Sequence, residues 1–172
     1  MFQDSEIGAI TTGGPFGHPP PSKYDKLISL AKEVPSATTI VVHPCDETSL
    51  RGAVEAVELG IIVPILVGPA ARISAVAKQH GIDIARYELV DAPHSEAAAA
   101  KAVALIHESK GELLMKGSLH TDELMRAVTS ATMGLRTARP SRADSVRSRM
   151  ASCAVAVLYA HARRTTAALP AA

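Results

Sequence analysis

Residues 38–69 read TTIVVHPCDETSLRGAVEAVELGIIVPILVGP, and this stretch decides the fold class. Thr38–Val42 is short, β-branched and uninterrupted, the composition of a buried strand. Asp46–Ser49 offers caps for a helix through Leu59, whose apolar positions 50, 53, 54 and 57 share one face. Gly60 stands where a C′ glycine belongs, and Pro64–Val67 reads as a second strand with proline tolerated at its first residue.

The same unit recurs downstream. Pro69 opens a helix at its first position, Ile73, Val76 and Ala77 face inward, and Gly81 closes it. Tyr87–Asp91 is a third strand, and Ser95 caps an alanine-rich helix over Glu96–Lys110 that Gly111 ends. Leu113–Met115 is a fourth strand, after which Thr121 or Asp122 caps a helix to about Ser130. Upstream, Tyr24–Val34 has a helical period and Pro35 stops it. Strands alternating with helices of this length predict an α/β domain, a parallel sheet with helices on both faces. Right-handed crossovers would bring every strand's carboxyl end to one edge.

The flanks differ in kind. Residues 1–22 are rich in Gly and Pro and lack an apolar period, so they read as a flexible linker; their Gly-Gly-Pro cluster follows no strand and opens no helix. From Pro140 to Ala172 there is no Lys, Glu or Gly, and Asp144 is the only acid. Residues 147–164 allow a helix there, but the strand–turn–helix rhythm stops.

Composition removes several classes of function. A net charge of +1 with interspersed signs gives no broad basic face, and five Phe and Tyr residues without Trp leave little for base stacking. Nucleic acid is therefore not an expected partner. Cys45 and Cys153 form neither a disulfide framework nor a zinc pattern with the histidines. The start of the chain has no basic region followed by an apolar stretch, and residues 154–160 are too short to cross a bilayer. A cytoplasmic location without membrane association is expected.

In open α/β sheets ligands bind outside the carboxyl ends of the strands. Residues following the predicted strands are His43, Pro44, Cys45 and Asp46; Gly68 and Pro69; Ala92, Pro93 and His94; and Lys116 through Thr121. The last set is richest in polar groups. Lys116 supplies a cation, and Gly117 permits close backbone approach. Ser118, His120 and Thr121 offer donors, the following helix adds free N–H groups, and Arg126 adds a planar fork suited to an oxyanion. The simpler reading makes Thr121 a cap and leaves Lys116 and Arg126 solvated. His43 with Asp46, Cys45 as a nucleophile, and Asp91 with His94 are weaker candidates, each having an ordinary loop, core or capping role open to it. G-x-G-x-x-G, the P-loop and G-x-S-x-G patterns are all absent.

The blocks HPCDETSLRGAVEAVELGIIVPILVGPAARI, DAPHSEAAAAKAVALIHESKGELLMKGSLHTDELMRAV and GLRTAR, in this order, resemble the phosphate acetyl/butyryl transferase family. The HPCD-x-x-SL wording is most similar to the phosphotransacetylase domain fused to enoyl-CoA hydratase modules. The resemblance runs from about Lys23 to Arg139. It implies reversible acyl transfer between coenzyme A and inorganic phosphate, with acyl-CoA and phosphate as partners and coenzyme A as substrate, no resident cofactor being required. It also implies a two-domain fold like that of isocitrate and isopropylmalate dehydrogenases, usually homodimeric, with the site in a cleft. MKG-x(3)-T with its arginine would line that cleft, which favours substrate binding by Lys116, Gly117, Thr121 and Arg126. The Gly117-to-Arg126 spacing resembles the butyryl or fused type, and the acyl group stays open.

Beyond GLRTAR the family continues with a further strand and a second domain bearing the serine, arginine and aspartate of acyl transfer. Residues 140–172 match none of that, and their Ala/Arg/Ser composition is what a shifted reading frame of a GC-rich gene would give. The expectation is an incomplete first part of the acyltransferase domain with little activity alone, the alternative being a non-catalytic fragment that binds phosphate or a partner.

Overall fold

In a computed structural model, residues 23–130, 135 and 146–167 are described. The predicted linker, most of GLRTAR and parts of the tail lie outside them. Among the described residues four parallel strands carry the fold: β1 (Ala37–Val42), β2 (Ile62–Gly68), β3 (Glu88–Asp91) and β4 (Leu113–Lys116), in the order β3-β2-β1-β4. Six helices among the same residues surround them: α1 (Lys23–Lys32), α2 (Glu47–Glu58), α3 (Ala70–Gln79), α4 (Ser95–His107), α5 (Thr121–Thr129) and α6 (Val146–Ala167).

Alternation along the strands sends side chains to two cores. Ile40 and Val42 of β1 with Ile65 and Val67 of β2 meet α4 and α5 on one face. On the other face Val41 and Leu66 pack under α2 and α3, while Ala37 and Ile62 pack under α1, α2 and α6. Helices therefore cover both faces, as expected. The tail forms the helix that the sequence allows over 147–164, and Cys153, Ala154 and Val157 of α6 are buried in the second core. Arg164 pairs with Glu112 and also reaches the Pro35 carbonyl (3.4 Å). A helix of small and β-branched residues suffices here because burial of one stripe, not family-like wording, is what packing requires.

Smaller corrections have local causes. Pro64 is the third residue of its strand, not the first. The Ile61 and Val67 carbonyls accept from Ala37 and His43 of the β1 side, so even-numbered residues of β2 turn toward β3. Pairing with β3 begins only at Ile65, so the N–H that Pro64 lacks faces an unpaired stretch. Pro69 is the N-cap of α3 instead of its first residue. α4 ends at His107, and Ser109 takes the left-handed conformation (φ 57°) expected of Gly111. Gly111 is small for another reason: a Cβ there would lie 2.7 Å from the Ile40 side chain.

Candidate functional site

The strand order fixes where a ligand crevice opens. From β1 the chain proceeds through α2 and α3 on one face to β2 and β3. It then returns through α4 on the opposite face to place β4 beside β1. Helices leaving β1 and β4 thus diverge to opposite faces, which is a topological switch point. Sequence reasoning found the loop ends but not that these two adjoin, since strand order has no signature in the local pattern.

The two loops are knotted together. The Gly117 N–H donates to the Val42 carbonyl (2.8 Å) and the Ser118 N–H to the His43 carbonyl (2.9 Å). A Cβ at Gly117 would stand 2.5 Å from both carbonyl oxygens, so close backbone approach, not torsional freedom, requires glycine. His43 has φ 56°, a left-handed conformation uncommon for a residue with a side chain, and is only 7% exposed. The Ser118 hydroxyl donates to the His43 carbonyl (2.8 Å), accepts from the Cys45 N–H (3.1 Å), and lies 3.2 Å from His43 Nδ1.

Charge around this knot is mixed. Burial, then the nearby Arg72 cation, holds the His43 imidazole below the ordinary histidine pKa against the opposing fields of Glu123 and Asp46. Burial pushes the Cys45 thiol up, so this cysteine is a protonated core residue and not an activated nucleophile. The Asp46 side chain accepts from the Ser49 N–H (2.7 Å) and caps α2, the capping alternative to pairing with His43. Asp91 and His94 likewise serve helix ends: Asp91 accepts from the Ala70 N–H (2.8 Å), and His94 Nδ1 from the Ala97 N–H (3.2 Å).

Lys116 ends β4, is exposed, and its Nζ donates to the Gly117 carbonyl (3.3 Å). His120, not Thr121 or Asp122, is the N-cap of α5; the Glu123 carboxylate reaches back to its N–H (3.0 Å). Glu123 also accepts from the Ser95 hydroxyl (3.1 Å), the group expected to cap α4. This swap explains both displaced caps, because Ser95 is drawn to α5 and His94 takes its place. Thr121 is the exposed first residue of α5. Arg126 lies further along the helix, with its guanidinium beside Glu96 (3.4 Å) and Asp122 (3.7 Å). Lys116, Ser118, His120 and Thr121 are therefore exposed along the segment that joins β4 to α5, while Gly117 and Leu119 are buried beneath it. Arg126 stands one turn further along α5, tied to the carboxylates of Glu96 and Asp122.

Among the described residues no group of His, Cys, Asp and Glu is arranged to hold a metal ion, and no helix is long and apolar enough to cross a membrane. A shallow concavity opens at the opposite edge of the sheet, at the strands' amino ends, lined by Thr38, Val57, Ile62, Val63 and Tyr87 together with the charged Arg86, Glu88 and Lys110.

No family model matches the chain. A phosphate acetyltransferase of Rhizobium meliloti is 65% identical over 119 residues, which is 69% of this chain and 38% of that protein. A phosphate acetyltransferase of Rickettsia prowazekii is 50% identical over 116 residues, 67% of this chain and 33% of that protein. A phosphate butyryltransferase of Clostridium beijerinckii is 35% identical over 116 residues, 67% of this chain and 38% of that protein. The chain thus spans between 33% and 38% of the length of these curated relatives. The solved structure of EutD phosphotransacetylase from Staphylococcus aureus matches with a TM-score of 0.50 at 16% identity, over 61% of this chain and 42% of that one, a likeness of fold.

Proposed function

We propose that this chain, whose matched residues belong to the phosphate acetyl/butyryl transferase family, carries the phosphate-facing half of a site for reversible acyl transfer between acyl-CoA and inorganic phosphate. In that reaction a phosphate oxygen attacks the thioester carbonyl. A C–O bond forms, the C–S bond breaks, and coenzyme A leaves as a thiolate that takes up a proton. Higher identity to the acetyltransferases than to the butyryltransferase favours acetyl as the acyl group.

The observation that carries the reading is the convergence of the family-like Lys116–Thr121 segment on the switch point between β1 and β4. Lys116 and the free N–H groups of α5 face an arriving anion there, and Arg126 adds a second cation once Glu96 and Asp122 release it. Charge placed in advance in this way is worth about 3–4 kcal/mol where charge develops in a transition state. Asp122 and Glu123 already occupy the first turn of α5, so the affinity for phosphate rests on the cations and the backbone together.

Turnover is expected to need groups beyond the matched stretch, among them one that protonates the departing thiolate and takes that proton back in the reverse direction. The full chain, mixed with acetyl-CoA and phosphate and followed by release of free thiol, is expected to show little turnover while phosphate raises its melting temperature. Turnover at rates ordinary for the family would overturn the first expectation. No phosphate-dependent shift, or one unchanged in Arg126→Ala, would overturn the second and favour a non-catalytic chain that associates with a partner. A cytoplasmic homodimer is the assembly proposed for the complete enzyme. Residues 140–172 are proposed to depart from the family through a shifted frame, which sequencing the gene tests.

A further inference from the structure

The hydrogen positions around Ser118 can be deduced from its contacts. Its Oγ lies 2.8 Å from the His43 carbonyl oxygen, an approach of two oxygens that requires a hydrogen between them. A carbonyl has none to give, so the hydroxyl proton is there. Its remaining lone pairs then meet the Cys45 N–H at 3.1 Å and His43 Nδ1 at 3.2 Å. The His43 carbonyl also accepts from the Ser118 and Cys45 N–H groups (2.9 Å each); with the hydroxyl proton turned to it, the hydroxyl meets Nδ1 as an acceptor, an arrangement that calls for hydrogen on Nδ1. A histidine side chain free in water favours hydrogen on Nε2, so this arrangement calls for the less common tautomer.

Two glycines make room for this arrangement. Gly117 lets β4 come against the carbonyls of Val42 and His43. A Cβ at Gly68 would lie 3.2 Å from His43 Cα and 3.7 Å from its Cδ2, so the end of β2 presses on the same histidine. Ser118 bonds are thus the side-chain part of a junction among the ends of β1, β2 and β4.

We propose that Ser118 is a positioning residue: its hydroxyl fixes His43 as the neutral Nδ1–H tautomer and locks the loops after β1 and β4 into one floor of the crevice, without contacting phosphate itself. This rests, for its bearing on substrate, on the acyltransferase reading above. It alters the expectation that Ser118 donates to the oxyanion, because that proton is already committed. Lys116 and the α5 backbone then meet the anion on a floor that Ser118 keeps rigid. His43 Nε2 is left with a lone pair, so the ring can accept a hydrogen bond there. Around the ring, Arg72 opposes its protonation while Asp46 and Glu123 favour it.

Long-range proton–nitrogen correlation spectra of the full chain, recorded without phosphate, test the lock. The expected result is His43 with hydrogen on Nδ1 in the wild type, a shift toward Nε2–H in Ser118→Ala, and retention of Nδ1–H in Ser118→Thr, which keeps the hydroxyl. An Nε2–H ring in the wild type, or the same tautomer in Ser118→Ala, overturns the proposal. Titration with inorganic phosphate then separates positioning from contact. Ser118→Ala should weaken binding roughly fivefold in the wild-type background but less than about twofold beside His43→Asn, because coupled residues are not additive. Equal losses in both backgrounds would make Ser118 a direct ligand and overturn it. A wild type that shows Nδ1–H but binds no phosphate overturns the acyltransferase reading and supports the lock.

Discussion

Replacing Gly117 by alanine should damage this protein more than any other single-methyl addition at its turns. The new Cβ would sit 2.5 Å from the carbonyl oxygens of Val42 and His43 and 2.7 Å from the His43 carbonyl carbon. Relief requires β4 to retreat by roughly 0.9 Å, since these atoms are held by backbone and cannot turn aside. Such overpacking costs about 1–3 kcal/mol. Retreat also stretches the bonds from Gly117 N–H to Val42 and from Ser118 N–H to His43, each worth about 1 kcal/mol net. The sum is about 3–5 kcal/mol, against a total stability of about 5–15 kcal/mol for an ordinary domain. For a chain of this size the melting temperature should fall by about 6–20 °C.

Gly60→Ala is the control. Gly60 has φ +73° but nothing within 4 Å of a built Cβ, so only the left-handed strain of about 1–2 kcal/mol applies. Urea denaturation of both variants and the wild type measures the difference, and hydrogen exchange at the amides of residues 117 and 118 locates it. A Gly117→Ala variant no less stable than Gly60→Ala, or one with both amides still protected, would refute the steric argument.

Three further outcomes follow from the same geometry. Arg126→Ala removes exposed ion pairs with Glu96 and Asp122, so urea denaturation should register less than about 1 kcal/mol. Calorimetric phosphate affinity should nevertheless fall by about tenfold to a hundredfold, the worth of hydrogen bonds to a charged group. Because the folded-state pKa of His43 is lowered, the unfolded chain binds this proton more readily. Stability from this site is therefore complete above pH 6.5 and is lost as pH falls from there toward the folded value. In His43→Asn, whose side chain tolerates the same left-handed backbone, that slope in denaturation free energy against pH should flatten; an unchanged slope would assign it to other groups. Val157→Ala should cost about 1–3 kcal/mol in urea denaturation, because Val157 is fully buried against α1 and the sheet; no loss would mean that α6 is not part of the core.

How far the sequence discloses this molecule depends on the range over which each signal acts. The strand–helix units from Ala37 to Thr129 are legible because apolar periodicity is local and each unit must bury its own face. Asp46 as a cap and Gly60 in the left-handed region follow from chemistry within one turn. The start of α5 at His120 follows from a local capping box with Glu123, three residues on, whereas the Ser95 hydroxyl meets Glu123 across 28 residues, and nothing local reports that partner. The expected polar rim, Lys116 through Thr121, does follow β4. Its floor, with the left-handed His43 and the spent Ser118 hydroxyl, depends on β4 lying beside β1. Arg126 was legible as a cation near the rim, though not as one already paired across α4 and α5. The tail was legible as a change of composition, whereas its buried stripe required knowing which face of the sheet lay open.

The adjacency of β1 and β4 also sets an order of events during folding. Strands β1, β2 and β3 pair with sequence neighbours, but Thr39 meets Leu113 only after the whole α4 return has been made. The His43–Ser118 contact closes a span of 75 residues, so its loop entropy is met only when the rest of the domain supports it. A chain emerging from the ribosome would carry His43 long before Ser118 arrives to meet it. The junction of these two loops is therefore a late product of folding, and protection of the Ser118 amide reports that β4 has arrived beside β1.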